Sequence, residues 1–377
     1  MKIVYIYKSM VLLAGMERIL STKMNLLAEK YNHEIYFITY EQGNHPLSFR
    51  LSKKIRHINL DFKFYERYKY RFIKKNYLLY RMKINFQRSL SNILNSIQPD
   101  IIITTTYEYQ ILDNIYKSYP SAKFILESHV AKETEMTSTH IKTPVLHQFA
   151  KFWDLRISLY IQNFNRIVTL TNQDKDSWEK HKNVVVIPNM IEYPTHINRI
   201  PSKKIISVGR LNVQKGFDML IDAWKMIVGK HTDWSLHIYG DGELRGELNQ
   251  QIAQCGLNDT VFIHPPTSDI FSKYQEHEFY VMSSRYEGLP LALIEALSHG
   301  LPCISFNCPC GPSEIIKNGI DGYLIPTGNI EQLAQKIEYL IENETERLTM
   351  GKNARRNAIR YSENEIIDSW NELFLNL

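Results

Sequence analysis

Two short stretches carry residues whose types and spacing can do chemistry. The apolar run "IISVG" (205–209) passes directly into "RLNVQKGFDMLIDAWK", which sets Arg210 and Lys215 between Gly209 and a helix whose apolar positions start at Phe217. Arginine grips phosphate oxygens with two parallel N–H bonds, lysine brings a compact charge, and a helix N-terminus adds partial positive charge. The pattern suits an anion, a diphosphate by preference; two solvated loop cations are the bland alternative. The second stretch, "SSRYEGLPLALIEALSHG" (283–300), puts Glu287 and Gly288 in a loop and Glu295 early in a helix that is apolar on nearly every side. Pro290 suits the first helical position, and Gly288 allows the backbone to approach a ligand. Glu295, among Leu293, Ile294, Ala296 and Leu297, needs a partner because an isolated buried charge is costly. A buried salt bridge is the ordinary partner. Adjacent sugar hydroxyls, such as a nucleotide's ribose diol, are another.

These residues need rigid elements to hold them, and the sequence has the rhythm of an α/β protein. "KIVYIY" (2–7), "EIYFITY" (34–40), "DIIITT" (100–105), "KFILES" (123–128), "RIVTLT" (166–171) and "VVVIP" (184–188) read as strands buried on both faces. Between them lie amphipathic segments such as "MERILSTKMNLLAEK" (16–30), whose Ile19, Leu20, Leu26 and Leu27 share a helical face. At 188–204 three prolines interrupt the rhythm. It restarts with "IISVG", "SLHIYG" (235–240), "VFIH" (261–264), "FYVMS" (279–283) and "PCISF" (302–306). The expected architecture is two Rossmann-like, doubly wound parallel-sheet domains facing each other across a cleft. Residues 1–190 form the first, 191–204 the linker and 205–361 the second. Ser362 with Glu365 caps a last helix, 362–377, which can pack back on the first domain.

At 377 residues the chain is long enough for two cores, and 44% hydrophobic with 23% charged residues is a globular composition. Lacking an apolar run of membrane-spanning length or a recognisable leader, the sequence is expected to be cytoplasmic. The four cysteines fit a reducing compartment, and the Cys308-Pro-Cys310 turn has no second Cys/His pair at zinc spacing. The net charge of +5 is modest. Yet "FKFYERYKYRFIKKNYLLYRMKINFQR" (62–88) interleaves nine cations with aromatics around a single acid, Glu66. That composition suits peripheral contact with an anionic membrane, on the inner face of the cytoplasmic membrane; an ordinary solvated basic helix is the alternative. No nucleic-acid motif accompanies it.

"RLNVQKG", then "EGLPLALIEA" and "CPCGPSEIIKNGIDGYLI", in that order and spacing, resemble the donor-binding domain of retaining glycosyltransferases of family 4, which have the GT-B fold. The Glu287-to-Glu295 spacing matches that family's E-x7-E motif. The resemblance implies a hexose or N-acetylhexosamine transferred from a nucleotide-sugar, a UDP-sugar by preference over GDP-mannose. The implied acceptor is a glycan, for example a polyprenyl-diphosphate-linked sugar in bacterial surface polysaccharide synthesis. It places Gly209, Arg210, Lys215, Glu287, Gly288, Leu289, Pro290 and Glu295 at the donor, with Glu295 on the ribose, Glu287 on the sugar, and Arg210 and Lys215 on the diphosphate. His129 in "ILESHV" matches the family's histidine near the transferred sugar. "LAGMERIL" corresponds to its G-G-x-E-R acceptor loop, with Ala14 replacing the first glycine and Gly15 keeping the second. No metal or other cofactor is implied, since Arg210 and Lys215 can supply the charge stabilisation a metal would give; Asp241 and Glu243 in "IYGDGEL" then need no ion. A nucleotide-sugar epimerase of similar architecture and a catalytically silent nucleotide-sugar-binding subunit are the rival readings.

Overall fold

The alternation of apolar runs and amphipathic segments resolves, in a computed structural model, into two sheets whose strand pairs are all parallel. The structure describes residues 1–12, 15–105, 119–129, 159–178 and 183–377, together with Ile115, Leu155 and His181. Two compact units emerge, one of Met1–Ile187 with Ile367–Leu377 and one of Pro188–Ile366.

The first unit holds strands β1 (Lys2–Tyr7), β2 (Glu34–Thr39), β3 (Arg56–Asn59), β4 (Ile101–Thr105), β5 (Lys123–Glu127), β6 (Arg166–Thr169) and β7 (Val184–Val186) in the order β3-β2-β1-β4-β5-β6-β7. Its described helices are α1 (Gly15–Lys30), α2 (Phe72–Ile97) and α3 (Asn172–Ser177). Central strands present β-branched and aromatic side chains to both faces, so Val4, Ile38, Ile102, Leu126 and Ile167 sit in one core closed by Trp178 and Phe86. Edge strand β3, "RHIN", was not legible as a strand because its residues are mostly exposed and polar.

The second unit holds β8 (Lys204–Val208), β9 (Ser235–Tyr239), β10 (Val261–His264), β11 (Phe279–Met282), β12 (Cys303–Phe306) and β13 (Gly322–Ile325), ordered β10-β9-β8-β11-β12-β13. Helices α4 (Phe217–Ile227), α5 (Arg245–Gln254), α6 (Ile270–Gln275), α7 (Leu291–Ser298), α8 (Pro312–Ile315), α9 (Ile330–Glu342), α10 (Glu344–Ala358) and α11 (Glu363–Leu375) accompany them. Ile205, Leu220, Trp224, Ile238, Val281 and Ile304 form the core. β13 was the second strand missed. The proline-interrupted segment is bound to this unit: Arg199 donates to the Glu278 backbone at 2.6 Å, and the Tyr193 hydroxyl donates to the Arg355 carbonyl at 3.0 Å. Helix α11 begins in this unit and ends in the first. Ser362 accepts from the Glu365 N–H at 3.5 Å, at its start.

β8 and β11 are neighbours whose chains depart in opposite directions, β8 toward β9 and β11 toward β12. The loops after them therefore leave the same point of the sheet, where open parallel sheets form a crevice beyond the strand ends.

Candidate donor site at the ends of β8 and β11

The loop after β8 folds over itself because three glycines make room. A side-chain carbon on Gly209 would lie 3.1 Å from the Lys215 stem, and one on Gly240 would lie 1.8 Å from the Gly209 carbonyl. Asn212 closes the short turn Val213–Lys215 by accepting from the Lys215 N–H at 3.3 Å. Gly216 then takes a left-handed conformation, φ +61°, where a side-chain carbon would lie 2.1 Å from the Ser283 carbonyl oxygen. Only glycine satisfies both demands.

The loop after β11 is stitched to this turn. Arg285 donates from its backbone to the Gln214 carbonyl at 2.8 Å, from its side chain to the Val213 carbonyl at 2.7 Å, and to both carboxylate oxygens of Asp218 at 2.9 and 2.6 Å. Ser283 donates to the Lys215 carbonyl at 3.0 Å, and Gln214 to the Tyr286 carbonyl at 3.0 Å. Burial would raise the Asp218 carboxyl, but Arg285 and the amides of Asp218 and Met219 outweigh it and hold it below the ordinary carboxylate range. Asp218 thus occupies the N-terminus of α4. The α4 amides of Asp218 and Met219 are therefore already answered by the Asp218 carboxylate, unlike the open helix N-terminus the sequence suggested.

The stitching brings Lys215 and Glu287 together. Lys215 Nζ lies 2.6 Å from Glu287 Oε1, and Ser284 donates to the same oxygen at 2.6 Å. Glu287 is buried, whereas Lys215 retains some exposure. Among the described residues Oε2 of Glu287 has no hydrogen-bond partner and Arg210, exposed, makes no ion pair. Both are available to a ligand.

Pro290 caps α7 from outside with ψ 96°, so the helix starts at Leu291, one residue later than the sequence suggests. The Pro290 carbonyl accepts from Leu293 and Ile294, which commits it to the capping position. Leu289 is buried, and the Gly288 carbonyl packs 2.8 Å from where a side chain on Gly311 would begin. Glu295 is buried one turn on, where the Tyr274 hydroxyl donates to its Oε2 at 3.3 Å. Burial first, and the Glu295 charge second, push the Tyr274 hydroxyl well above its usual range, which keeps it a neutral donor.

In the first unit His129 follows β5 and is largely buried, its Nε2 2.9 Å from Glu127 Oε2. Gly15 opens α1 and is exposed, with Glu17 buried two residues on and accepting from the Tyr7 hydroxyl at 3.2 Å. Ala14 lies outside the described residues. Asp241, exposed, pairs with Arg245 at 2.9 Å. Sequence reasoning missed Asn212, Gly216, Asp218, Ser283, Ser284, Arg285 and Tyr274, of which only the paired serines before "RYEG" stood out locally.

Residues 196–357 match the family described as glycosyl transferases group 1. An uncharacterized glycosyltransferase of Haemophilus influenzae is 28% identical over 361 residues, covering 94% of this chain and 95% of that protein. An amylovoran biosynthesis glycosyltransferase, AmsD of Erwinia amylovora, is 35% identical over 219 residues, 55% of this chain and 61% of its own length. A mutant of TarM from Staphylococcus aureus, solved with fondaparinux, alpha-GlcNAc-glycerol and UDP, superposes with a TM-score of 0.73 at 17% identity over 99% of both chains. The two parallel sheets are those of the GT-B fold. Together the family match and the GT-B fold support a glycosyltransferase. Neighbours of this fold hold UDP and sugars at their own sites, and no helix among the described residues is long and apolar enough to cross a membrane.

Proposed function

We propose that the protein is a retaining glycosyltransferase that moves a hexose or N-acetylhexosamine from a UDP-sugar to a glycan acceptor. The single observation that carries the reading is the meeting of Lys215 and Glu287 at the switch point, 2.6 Å apart, in the loop that also carries the exposed Arg210. An enzyme that separates a diphosphate from a sugar needs cations at the phosphates and hydrogen-bonding groups at the sugar, and this loop pair offers both. Arg210 and Lys215 would neutralise the charge that grows on the leaving diphosphate, a preorganised electrostatic contribution. Glu287, through Oε2, and the backbone amides of Gly288 and Leu289 would position the sugar, while Pro290, with no N–H and its carbonyl taken by Leu293 and Ile294, would only shape the loop. Glu295 would accept the ribose hydroxyls. His129 would meet a hydroxyl of the transferred sugar, and the acceptor would approach past Gly15.

The acceptor hydroxyl enters on the face from which the diphosphate leaves, and the departing phosphate takes its proton, so catalysis rests on positioning and charge stabilisation. The ammonium and guanidinium do the work of a metal in this scheme. Names of relatives favour a place in surface polysaccharide synthesis, amylovoran and lipopolysaccharide among them. The basic, tyrosine-rich 62–88 stretch fits a lipid-linked acceptor such as a polyprenyl-diphosphate sugar, met at the cytoplasmic face of a membrane.

The test is a thermal-shift panel of UDP, GDP, ADP and their sugar conjugates on wild type and Glu295→Gln, because a ligand that binds only the folded state raises its stability by mass action. Stabilisation by uridine nucleotides, lost in the variant, is the expected result. No stabilisation by any nucleotide would overturn the donor site.

A further inference from the structure

Lys23, on α1, is 1% exposed, and its ammonium lies 2.5 Å from Glu127 Oε1. The other oxygen of Glu127, itself 2% exposed, sits 2.9 Å from His129 Nε2. Two further elements close on the same charge: the Tyr5 ring from β1, 5.4 Å from the ammonium, and the Trp370 ring from α11, 4.0 Å from it. His129 Nδ1 is buried with no partner among the described residues, as is the Tyr5 hydroxyl. Burial alone would raise the Glu127 carboxyl, but the charge of Lys23 and the hydrogen bond from His129 reverse that and hold it below the ordinary range.

The arrangement has one consistent charge assignment. Glu127 is a carboxylate already balanced by Lys23, so a charged imidazole would leave a net buried positive charge without a counter-ion, which is expensive. A neutral ring is the form that leaves this buried cluster without excess charge. A neutral imidazole donates from one nitrogen and accepts at the other, and a carboxylate can only accept. The proton stands on Nε2, and Nδ1 presents a lone pair.

We propose that Lys23 and Glu127 are positioning residues that lock His129 in the Nε2–H tautomer, making Nδ1 an acceptor dedicated to a hydroxyl of the ligand. A buried polar atom without a partner is rare in a finished protein, and a sugar O–H supplies the missing donor where a phosphate or carbonyl oxygen would be repelled. That the ligand is a sugar rests on the glycosyltransferase reading above; the tautomer does not. Lys23 acts only through Glu127, and the pair exchanges no proton with substrate.

The experiment is nitrogen NMR of isotope-labelled histidine, with the His129 signals assigned by their loss in His129→Gln. Wild type is expected to show the Nε2–H tautomer at neutral pH. In Lys23→Met/Glu127→Leu, which removes both charges together and so leaves no buried ion unpaired, both tautomers are expected. In that variant kcat for sugar transfer should fall roughly tenfold or more, while the UDP thermal shift stays at the wild-type value. A proton on Nδ1 in wild type, or an unchanged tautomer and kcat in the double variant, overturns the proposal. An Nε2–H tautomer in a protein that no nucleotide stabilises supports the lock and removes the glycosyltransferase reading instead.

Discussion

The ammonium of Lys215 and the carboxylate of Glu287 form an ion pair although the residues belong to loops on different strands. Neither loop makes the pair alone; Arg285, bonded to Val213, Gln214 and Asp218, sets their separation. Lys215→Ala should lower transfer by about two orders of magnitude or more, the scale of losing one preorganised charge partner. Glu287 is buried and would be left with Ser284 alone, while Lys215 keeps some exposure, so the stability lost should lie above the ~1 kcal/mol of an exposed pair and below the ~3–5 kcal/mol of breaking a fully buried one. Steady-state kinetics beside a melting curve checks both, and near wild-type turnover would remove Lys215 from the mechanism.

Gly216→Ala should be more damaging to the site than its size suggests. The added methyl meets the Ser283 carbonyl, and the left-handed φ adds strain of about 1–3 kcal/mol. Adjacent loops then separate, so both melting temperature and UDP affinity should drop, measured by calorimetry and titration. Gly229→Ala, where nothing lies within 4 Å, is the control and should leave both unchanged.

Stability of the second unit should fall in mild acid. Burial, with the neighbouring histidines and Lys204 adding to it, lowers His237 to about 3, and burial lowers His277 to about 4. Unfolded histidines titrate near pH 6.5, so the unfolded chain binds more protons wherever the pH lies between these values. The stabilisation from keeping both rings neutral is complete above about pH 6.5 and is lost as the pH falls toward 4 and then 3. Urea unfolding at about pH 7 and about pH 5, on either side of the unfolded value, measures it, and His277→Gln should flatten the difference.

Thiol reactivity should follow burial. Burial, reinforced by the charge of Glu287, pushes Cys308 up to about 12, and burial likewise raises Cys303. Both stay protonated at about pH 8, and only thiolates alkylate readily. Iodoacetamide at that pH should label the half-exposed Cys255 in the native protein and the buried thiols only after denaturation, read by peptide mass spectrometry. Native labelling of Cys308 would contradict the packing around Glu287.

Membrane contact should map to α2 and the turn before it. Tyr77 and Tyr80 are more than half exposed, Lys74 lies 4.1 Å over the Tyr70 ring and Lys75 4.4 Å over Tyr68. Paired this way, the cations and rings can meet lipid phosphates and the interface together. Flotation with vesicles rich in anionic lipid should carry the wild type and leave Lys74→Glu/Lys75→Glu/Arg81→Glu behind. Wild type that stays at the bottom of the gradient would end this reading.

The sheets were legible because parallel strands buried on both faces leave unbroken apolar runs such as "DIIITT", a signal that needs no knowledge of neighbours. β3 fails that test with Arg56 and His57 exposed at a sheet edge. The residues proposed for the donor stood out as charges in apolar or glycine-rich settings. Their pairing did not, since a bond between Lys215 and Glu287 depends on which strands adjoin. Lys23 was the least legible of all. In "STKMNLL" it reads as an ordinary solvated helix lysine, and only the sheet's placement of Glu127 gives its charge a reason to be buried.

The passage of α11 from one unit to the other makes the N-terminal domain depend on sequence that follows the whole second unit. Trp370 covers Lys23, Asp368 holds Lys30 and Tyr31, and Asn371 meets His33 at 2.9 Å. Residues 1–187 therefore cannot finish their own unit: the ring over Lys23 and the partners of Lys30, Tyr31 and His33 come only from chain that follows Ile366.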